Sequence, residues 1–227
     1  MQLEELKSSI LEQITKPTDR GQQKKIGPSE IGGCPLCIGE KLALAHPDLY
    51  PDLEHTERFG LAAWVGSCVH DVMERDIEIP NAYKEHKNPI YDLAGYGIIA
   101  GSTDLFVDGH VVDYKAVGKF SYDAMKLAYR LEPNKIPKTV YRVQQHLYGL
   151  GWELAGHKVE DVSLCVIPKM RNSADDIRFF SERYNREVAE KALARLELIY
   201  KRVKQGKLET LPMDEDCYTC TRVLFRA

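Results

Sequence analysis

The chain lacks any stretch approaching the roughly 18 consecutive apolar residues needed to cross a bilayer, so no membrane role is expected. It lacks an apolar core behind its first methionine: MQLEELKSSILEQITK is charged throughout, unlike a secretory signal. The expected compartment is the cytoplasm, of a cell or of an infected host. A basic excess is also missing. With 31 Lys and Arg against 34 Asp and Glu, the formal net charge is −3. A passive DNA-coating protein would carry a surplus of cations. An enzyme acting on nucleic acid is not excluded, because carboxylates that hold metal ions offset local Lys and Arg. The chain shows no internal repeat and no low-complexity tract.

What is present is ordinary for a globular protein: 227 residues, 44% hydrophobic and 29% charged, enough for one domain with a real core. Residues 1–25 read as an N-terminal helix and loop. The helix, over 2–15, has Leu3, Leu6, Ile10 and Leu11 on one side; the stretch from Lys16 to Gly33 is rich in Pro, Gly, Gln and Lys and reads as loop. A single domain is expected over 26–227. A helix is predicted at Glu40–Ala45, a loop over 46–56, and a helix from Phe59 to about Ile79, ended by Pro80. The apolar runs 97–107 and 110–117 flank Asp108-Gly109, a strong signal for an antiparallel hairpin. After a loop at 131–139 comes a helix from Val140 to Ala155, with Gly156 placed to cap it. Strands at 161–167 and 177–184 and an amphipathic helix at 186–204 complete the order. This is an α/β arrangement, a mixed sheet flanked by helices.

The chemistry concentrates in G-S-T-D-L-F-V-D-G-H-V-V-D-Y-K. Residues two apart on a strand share a face, so Asp113 and Lys115 project together, and Asp104 stands on the partner strand. Carboxylates brought together this way repel unless a cation sits between them, and oxygen ligands suit Mg²⁺ or Mn²⁺. A neighbouring lysine can order a water and stabilise charge on a phosphate. Together these are the requirements of phosphodiester hydrolysis. A solvated Asp–Lys pair is the bland alternative, but this pair lies between VV and AV on a strand that reads as buried. Upstream, His70 and Glu74 lie four apart on one helical face, and an imidazole added to an oxygen site favours Mn²⁺. Downstream, Gln144 and Tyr148 share another helical face.

Six cysteines are present. Cys68 and Cys165 are isolated in apolar sequence and are expected to be small buried hydrophobes. The others form two C-x-x-C pairs, Cys34/Cys37 and Cys217/Cys220, a strong metal signal. One site shared between them would staple the ends of the domain across its core. On spacing alone tetrathiolate Zn²⁺ is the default.

Taken together, Gly66-x-x-x-His70-x-x-x-Glu74, Gly101-x-x-Asp104, Asp113-x-Lys115 and Gln144-x-x-x-Tyr148 resemble the motifs of RecB-like nucleases of the PD-(D/E)-x-K superfamily. The resemblance is nearest to the CRISPR-associated RecB-like exonuclease family and its relatives encoded by actinobacteriophages, and it covers most of residues 26–220. It implies a restriction-endonuclease-like core and a DNA exonuclease acting on single strands or duplex ends, phage-encoded or engaged in recombination or repair beside a recombination or helicase partner. It implies that His70, Asp104, Asp113 and the Tyr114 carbonyl hold Mg²⁺ or Mn²⁺ and that Lys115 orients the attacking water. Gln144 and Tyr148 would support the site, with Glu74 in a lesser supporting role. For the cysteines it implies a [4Fe–4S] cluster, usually held by one N-terminal and three C-terminal cysteines; here the split is two and two. A non-catalytic DNA-binding module of the same fold and a structure-specific endonuclease are the alternatives. Loss of a carboxylate or lysine would have favoured the first. The second would not be expected to carry His70 or Gln144 and Tyr148.

Overall fold

The computed structural model describes residues 5–9, 11, 25–53, 60–217 and 219–220. Its centre is a five-stranded sheet in the order β1 (Tyr83–Leu93), β2 (Gly97–Val107), β3 (His110–Val117), β4 (Asp161–Pro168) and β5 (Arg178–Arg183). β3 and β4 are parallel and every other neighbouring pair is antiparallel, so the sheet is mixed. Among the described residues from 25 onward the α-helices are α1 (Pro28–Ile31), α2 (Pro35–Ala43), α3 (Leu61–Asp76), α4 (Lys119–Leu131), α5 (Thr139–Leu154) and α6 (Arg186–Lys204). Helices α4 and α5 form the crossover that the parallel β3–β4 pair requires. Among the described residues no helix is long and apolar enough to cross a membrane.

Local chemistry sets the elements. Asp108 (φ 48°) and Gly109 (φ 86°) supply the two left-handed residues of a tight hairpin turn. At the end of α5, Gly156 (φ 90°) lets the His157 amide donate back to the Trp152 carbonyl at 3.0 Å, the expected Gly-capped terminus. The Asn185 side chain caps α6 by accepting from the Glu187 amide. Glu187 in the first turn of α6 and Lys201, Arg202 and Lys204 in its last suit the helix dipole. The buried stripe of α6, Ala189, Ala192, Leu193, Leu196, Ile199, Tyr200 and Val203, recurs at helical spacing.

The two faces of the sheet are unequally covered. The large core gathers residues of α2, α5 and α6 against the sheet, including Ile99, Phe106, Val111, Leu147, Leu164 and Leu196. Buried Trp152 stacks on Phe106 at 4.1 Å and donates to Thr103 Oγ1 at 3.1 Å. The other face holds a small cluster, Leu105, Val112, Tyr114 and Cys165, with Met73 packed on it. Helix α3 has no buried residue.

Several expectations need correcting. Cys165 is buried, but Cys68 is exposed, because α3 meets the sheet through Met73 and His70 and leaves Cys68 to solvent. Strand β1 and helix α4 fall in stretches read as neither strand nor helix, and α1 lies within the expected loop from Lys16 to Gly33. The expected helix near residue 40 begins earlier, at Pro35, directly after Cys34. Of the helix expected over 2–15, residues 5–9 are helical and Leu6 and Leu11 are exposed. Leu3 and Ile10, like Phe59 at the expected start of α3, lie outside the described residues.

Candidate active site and cysteine centre

The catalytic candidates meet where the β2–β3 ladder stops. Leu105 pairs with Val112; one residue further along, Asp104 turns its carboxylate to β3, and Oδ2 accepts from the Tyr114 amide at 2.7 Å. Asp113, 1% exposed, stands on β3 beside Lys115, whose Nζ lies 2.6 Å from Asp113 Oδ2. Helix α5 covers this face. Gln144 Nε2 donates to Asp113 Oδ1 at 3.1 Å and to the Tyr148 hydroxyl at 2.8 Å. The i, i+4 spacing that places Gln144 and Tyr148 on one helical face thus delivers Gln144 to the carboxylate and Tyr148 to the Gln144 amide. Gly101 has a steric reason: a Cβ there would come within 2.6 Å of both the Tyr148 ring and Pro28. Gly66 has none, since a Cβ there meets open space.

From the opposite side α3 brings His70, with Nδ1 3.1 Å from Asp104 Oδ2. Glu74 is exposed, and its backbone carbonyl accepts from Lys84 Nζ; the structure does not gather it with the other candidates. A residue that sequence reasoning missed joins instead. Glu85 Oε1 stands 3.9 Å from His70 Nδ1, and Ser102 Oγ donates to Glu85 Oε2 at 3.2 Å. Glu85 has φ 46°, a left-handed conformation that costs a side-chain-bearing residue energy and recurs at functional sites. Lys84 pairs with Leu105 and His86 with Thr103, so Glu85 and Asp104 are the two residues skipped between those pairs. The alternation of faces breaks there. Nothing in YKEHKNPIYDL marks Glu85 among its charged neighbours.

Burial and mutual charge set the electrostatics. Burial pushes the Asp113 carboxyl up, to about 6, against the pull of Lys115. For His70, burial lowers the imidazole value, but the adjoining Asp104 carboxylate more than offsets this and the net shift is upward. Lys115 likewise is depressed by burial and raised further by Asp113 and Asp104, ending above its ordinary value; it is an ammonium ion. Burial raises the Tyr148 phenol strongly, so it stays a neutral hydroxyl. Two buried atoms, His70 Nδ1 and Asp113 Oδ2, make no hydrogen bond of acceptable geometry, despite the close carboxylate and ammonium. His70, Glu85 and Asp104 each offer a ligand atom within 4.8 Å of the others. Imidazole plus carboxylates is a donor set that fits Mn²⁺ or Mg²⁺.

The four paired cysteines come together as one cluster. Cys34 Sγ is 3.8 Å from Cys220 Sγ, and Cys37 Sγ is 3.5 and 3.3 Å from those of Cys217 and Cys220. All four sulfurs lie within 4.8 Å of one another. Gly39 allows the approach, since a Cβ there would fall 2.2 Å from a Leu211 methyl carbon. The Leu36 amide donates to the Pro212 carbonyl at 3.2 Å, and Arg195 of α6 donates to the carbonyls of Ile31 and Gly33. The ends of the domain are thereby drawn together over α6.

No protein-family model and no curated protein matches the chain. Solved structures do. An alkaline exonuclease, LHK-Exo, from Laribacter hongkongensis aligns with a TM-score of 0.54 at 12% identity, over 95% of this chain and 100% of that one. A phage-related exonuclease from Haemophilus somnus 129PT gives 0.54 at 13% identity, over 80% and 94%. LHK-Exo in complex with dAMP gives 0.51 at 12% identity, over 90% and 95%. At these identities the likeness shows the fold. The chain therefore shares, over nearly its whole length, the architecture of proteins called exonucleases, and its mixed five-stranded sheet carries the carboxylate–lysine group at its centre.

Proposed function

We propose that the chain is a Mg²⁺- or Mn²⁺-dependent DNA exonuclease acting on single strands or duplex ends. The observation that carries this reading is the convergence of Asp104, Asp113, Lys115 and His70, from two strands and a helix, around buried atoms lacking hydrogen-bond partners. The exonuclease names of the structural neighbours support it, as does the dAMP complex of one of them. His70, Asp104, Asp113 and the Tyr114 carbonyl would hold the cation, with Glu85 as a further carboxylate. When bound, the cation supplies Lewis-acid polarisation and neutralises phosphate charge. Lys115, kept cationic by Asp113, orients the attacking water and stabilises charge on the phosphate; it is not the base. Gln144 fixes the rotamer of Asp113, and Tyr148 accepts the amide's second proton. A role in phage recombination or in repair, beside a recombination or helicase partner, rests on the sequence resemblance.

We infer further that Cys34, Cys37, Cys217 and Cys220 share one metal centre. Tetrahedral Zn²⁺ with Zn–S bonds of about 2.3 Å places its sulfurs about 3.8 Å apart, and the sulfur separations support that single ion. The [4Fe–4S] reading rests on the resemblance alone, and a cubane with one thiolate on each iron needs its sulfurs spread wider.

The test compares the wild-type protein with Asp113→Ala on end-labelled linear DNA and on circular DNA, with Mg²⁺, Mn²⁺ or EDTA. Metal-dependent shortening of linear DNA by wild type alone is expected. Degradation that survives Asp113→Ala, or none with either metal, sinks the assignment, the latter leaving a DNA-binding module. Cleavage of circles would make the protein an endonuclease.

A further inference from the structure

Helix α4 carries two apolar faces where one is needed. Tyr122 and Met125 are buried, and the Tyr129 hydroxyl donates to the Ser181 carbonyl of β5 at 3.0 Å. On the other face Phe120, Ala124, Leu127, Ala128 and Leu131 are all exposed. Their spacing of 4, 3, 1 and 3 residues is one continuous helical stripe. Phe120, 89% exposed, stands at the end nearest the catalytic strand, five residues after Lys115. At about 3.3 Å per residue or less, that is within about 17 Å of it.

A line of cations and rings connects the two. Lys115 Nζ lies 5.5 Å from the centre of the Tyr141 ring, and Lys138 Nζ lies 5.4 Å from the same ring. Lys138 Nζ also donates to Ser121 Oγ at 2.6 Å, beside Phe120. Lys138 is held left-handed, at φ 66°, where a lysine is rarely found. Over residues 118–138 there are five cations against two acids, in a chain whose net charge is −3. Both acids are already paired, Asp123 with Lys119 and Glu132 with Lys135. Aromatic faces interleaved with cations are the combination that binds single-stranded nucleic acid, the rings taking bases and the cations taking phosphates.

We propose that this strip, Lys138 and Tyr141 leading to Phe120, is the track for a single DNA strand next to the scissile phosphate. Phe120 stacks on a nucleobase and Lys138 meets a backbone phosphate. The proposal rests on the reading of Asp113 and Lys115 as the catalytic pair, which gives the strip its starting point.

Binding is measured by the anisotropy of a labelled oligothymidylate, without added divalent cation, so the readout needs no cleavage. Phe120→Ala is expected to weaken Kd about 5- to 150-fold, the range of one lost base stack. Phe120→Trp should restore affinity, with its indole emission quenched on binding. Lys138→Gln should flatten the salt dependence of log K by about 0.7, the value of one phosphate contact on a single strand. Phe120→Ala with wild-type affinity overturns the track. So does a Phe120→Ala protein whose oligomeric state changes while its affinity does not, which would make the stripe a contact between copies of this chain. If the binding effects appear but the protein cleaves no DNA, the track stands and the catalytic reading falls.

Discussion

Glu85 faces Asp104 across β1 and β2, and neither takes part in the register that pairs Lys84 with Leu105 and His86 with Thr103. Skipping one residue on each strand turns both carboxylates out of the regular pleat and towards His70. Tyr83 and His86 thereby come onto the same face, their rings 5.6 Å apart, although three residues of a regular strand would place them on opposite faces. The distortion is stable because Ser102 Oγ donates to one carboxylate and the Tyr114 amide to the other.

If Glu85 is a metal ligand, Glu85→Gln should weaken Mn²⁺ binding by at least the ten- to hundredfold typical of lost supporting groups at metal sites. The thermal midpoint of the metal-free protein should hardly change, because glutamine keeps the shape. Titration calorimetry with Mn²⁺ checks this. An unchanged affinity would remove Glu85 from the site.

Metal binding should depend on pH, with a sign fixed by Asp113. Its carboxyl titrates near 6 in the fold, against an ordinary value of 3.8. This group therefore favours the metal-free fold most below about 3.8, and that contribution is lost as pH rises to about 6. Below 6 a cation must displace the protons of both Asp113 and His70, so apparent affinity should rise about a hundredfold per pH unit up to there and about tenfold per unit just above it. His70, shifted upward, must also be neutral to bind, which extends the rise beyond 6.5. Calorimetry in two buffers of different ionisation enthalpy counts the released protons; a flat profile from pH 5 to 8 contradicts the assignment.

The cysteine centre should be structural. Cys37→Ser or a strong chelator is expected to lower the thermal midpoint sharply, since thiolate zinc sites contribute on the order of 10 kcal/mol in small domains. Metal analysis of anaerobically purified protein should return one zinc per chain and no band near about 400 nm, where iron–sulfur proteins absorb. A brown protein with four irons would establish the cluster instead.

Glu182 should matter as much as any apolar core residue. Buried on β5, it accepts from the Ile136 amide at 2.5 Å, from Arg142 Nε at 2.7 Å and from His146 Nε2 at 2.5 Å. His146 Nδ1 accepts from the Asn185 amide at 3.1 Å, which fixes the proton on Nε2. Burial alone would raise the Glu182 carboxyl, but His146, the Ile136 amide and Arg142 hold it below the ordinary value. Its contribution is therefore present above about 4.5 and is lost as pH falls through the lowered value. Glu182→Ala should cost about 3–5 kcal/mol in denaturant unfolding. Turnover should drop as well, because Arg142 and His146 share α5 with Gln144 and Tyr148. A loss under about 1 kcal/mol would show that the network is replaceable.

The legible parts of this molecule were those with local causes. Asp108-Gly109 announced its hairpin because two left-handed residues are needed there, and Gly156 announced the end of α5 for the same reason. Asp113 and Lys115 followed from a period of two, Gln144 and Tyr148 from a spacing of four. Glu85 had no such signature: its position depends on a pleat broken jointly with a strand ten or more residues away. Strand β1, an edge strand holding Pro89 and many charges, shows no alternation to read. Helix α4 has apolar residues on both faces, so its period is blurred, and α3 kept a helical pattern without burying it, which is why Cys68 was misplaced. Glu74 shows the limit of spacing alone, sharing a helix with His70 yet lying away from the carboxylates.

Cys37 and Cys220 are separated by 183 positions. A ribosome adding about 5–20 residues per second makes the first pair of thiols roughly 10–40 s before the last one. During that interval Cys34 and Cys37 lack the two thiols that complete their cluster, while the strands made in between can already pair. If the four thiols take up a metal, its capture therefore waits until the residues of all five strands have been made, and a shortage of the ion would leave the two C-x-x-C pairs of an otherwise folded domain apart.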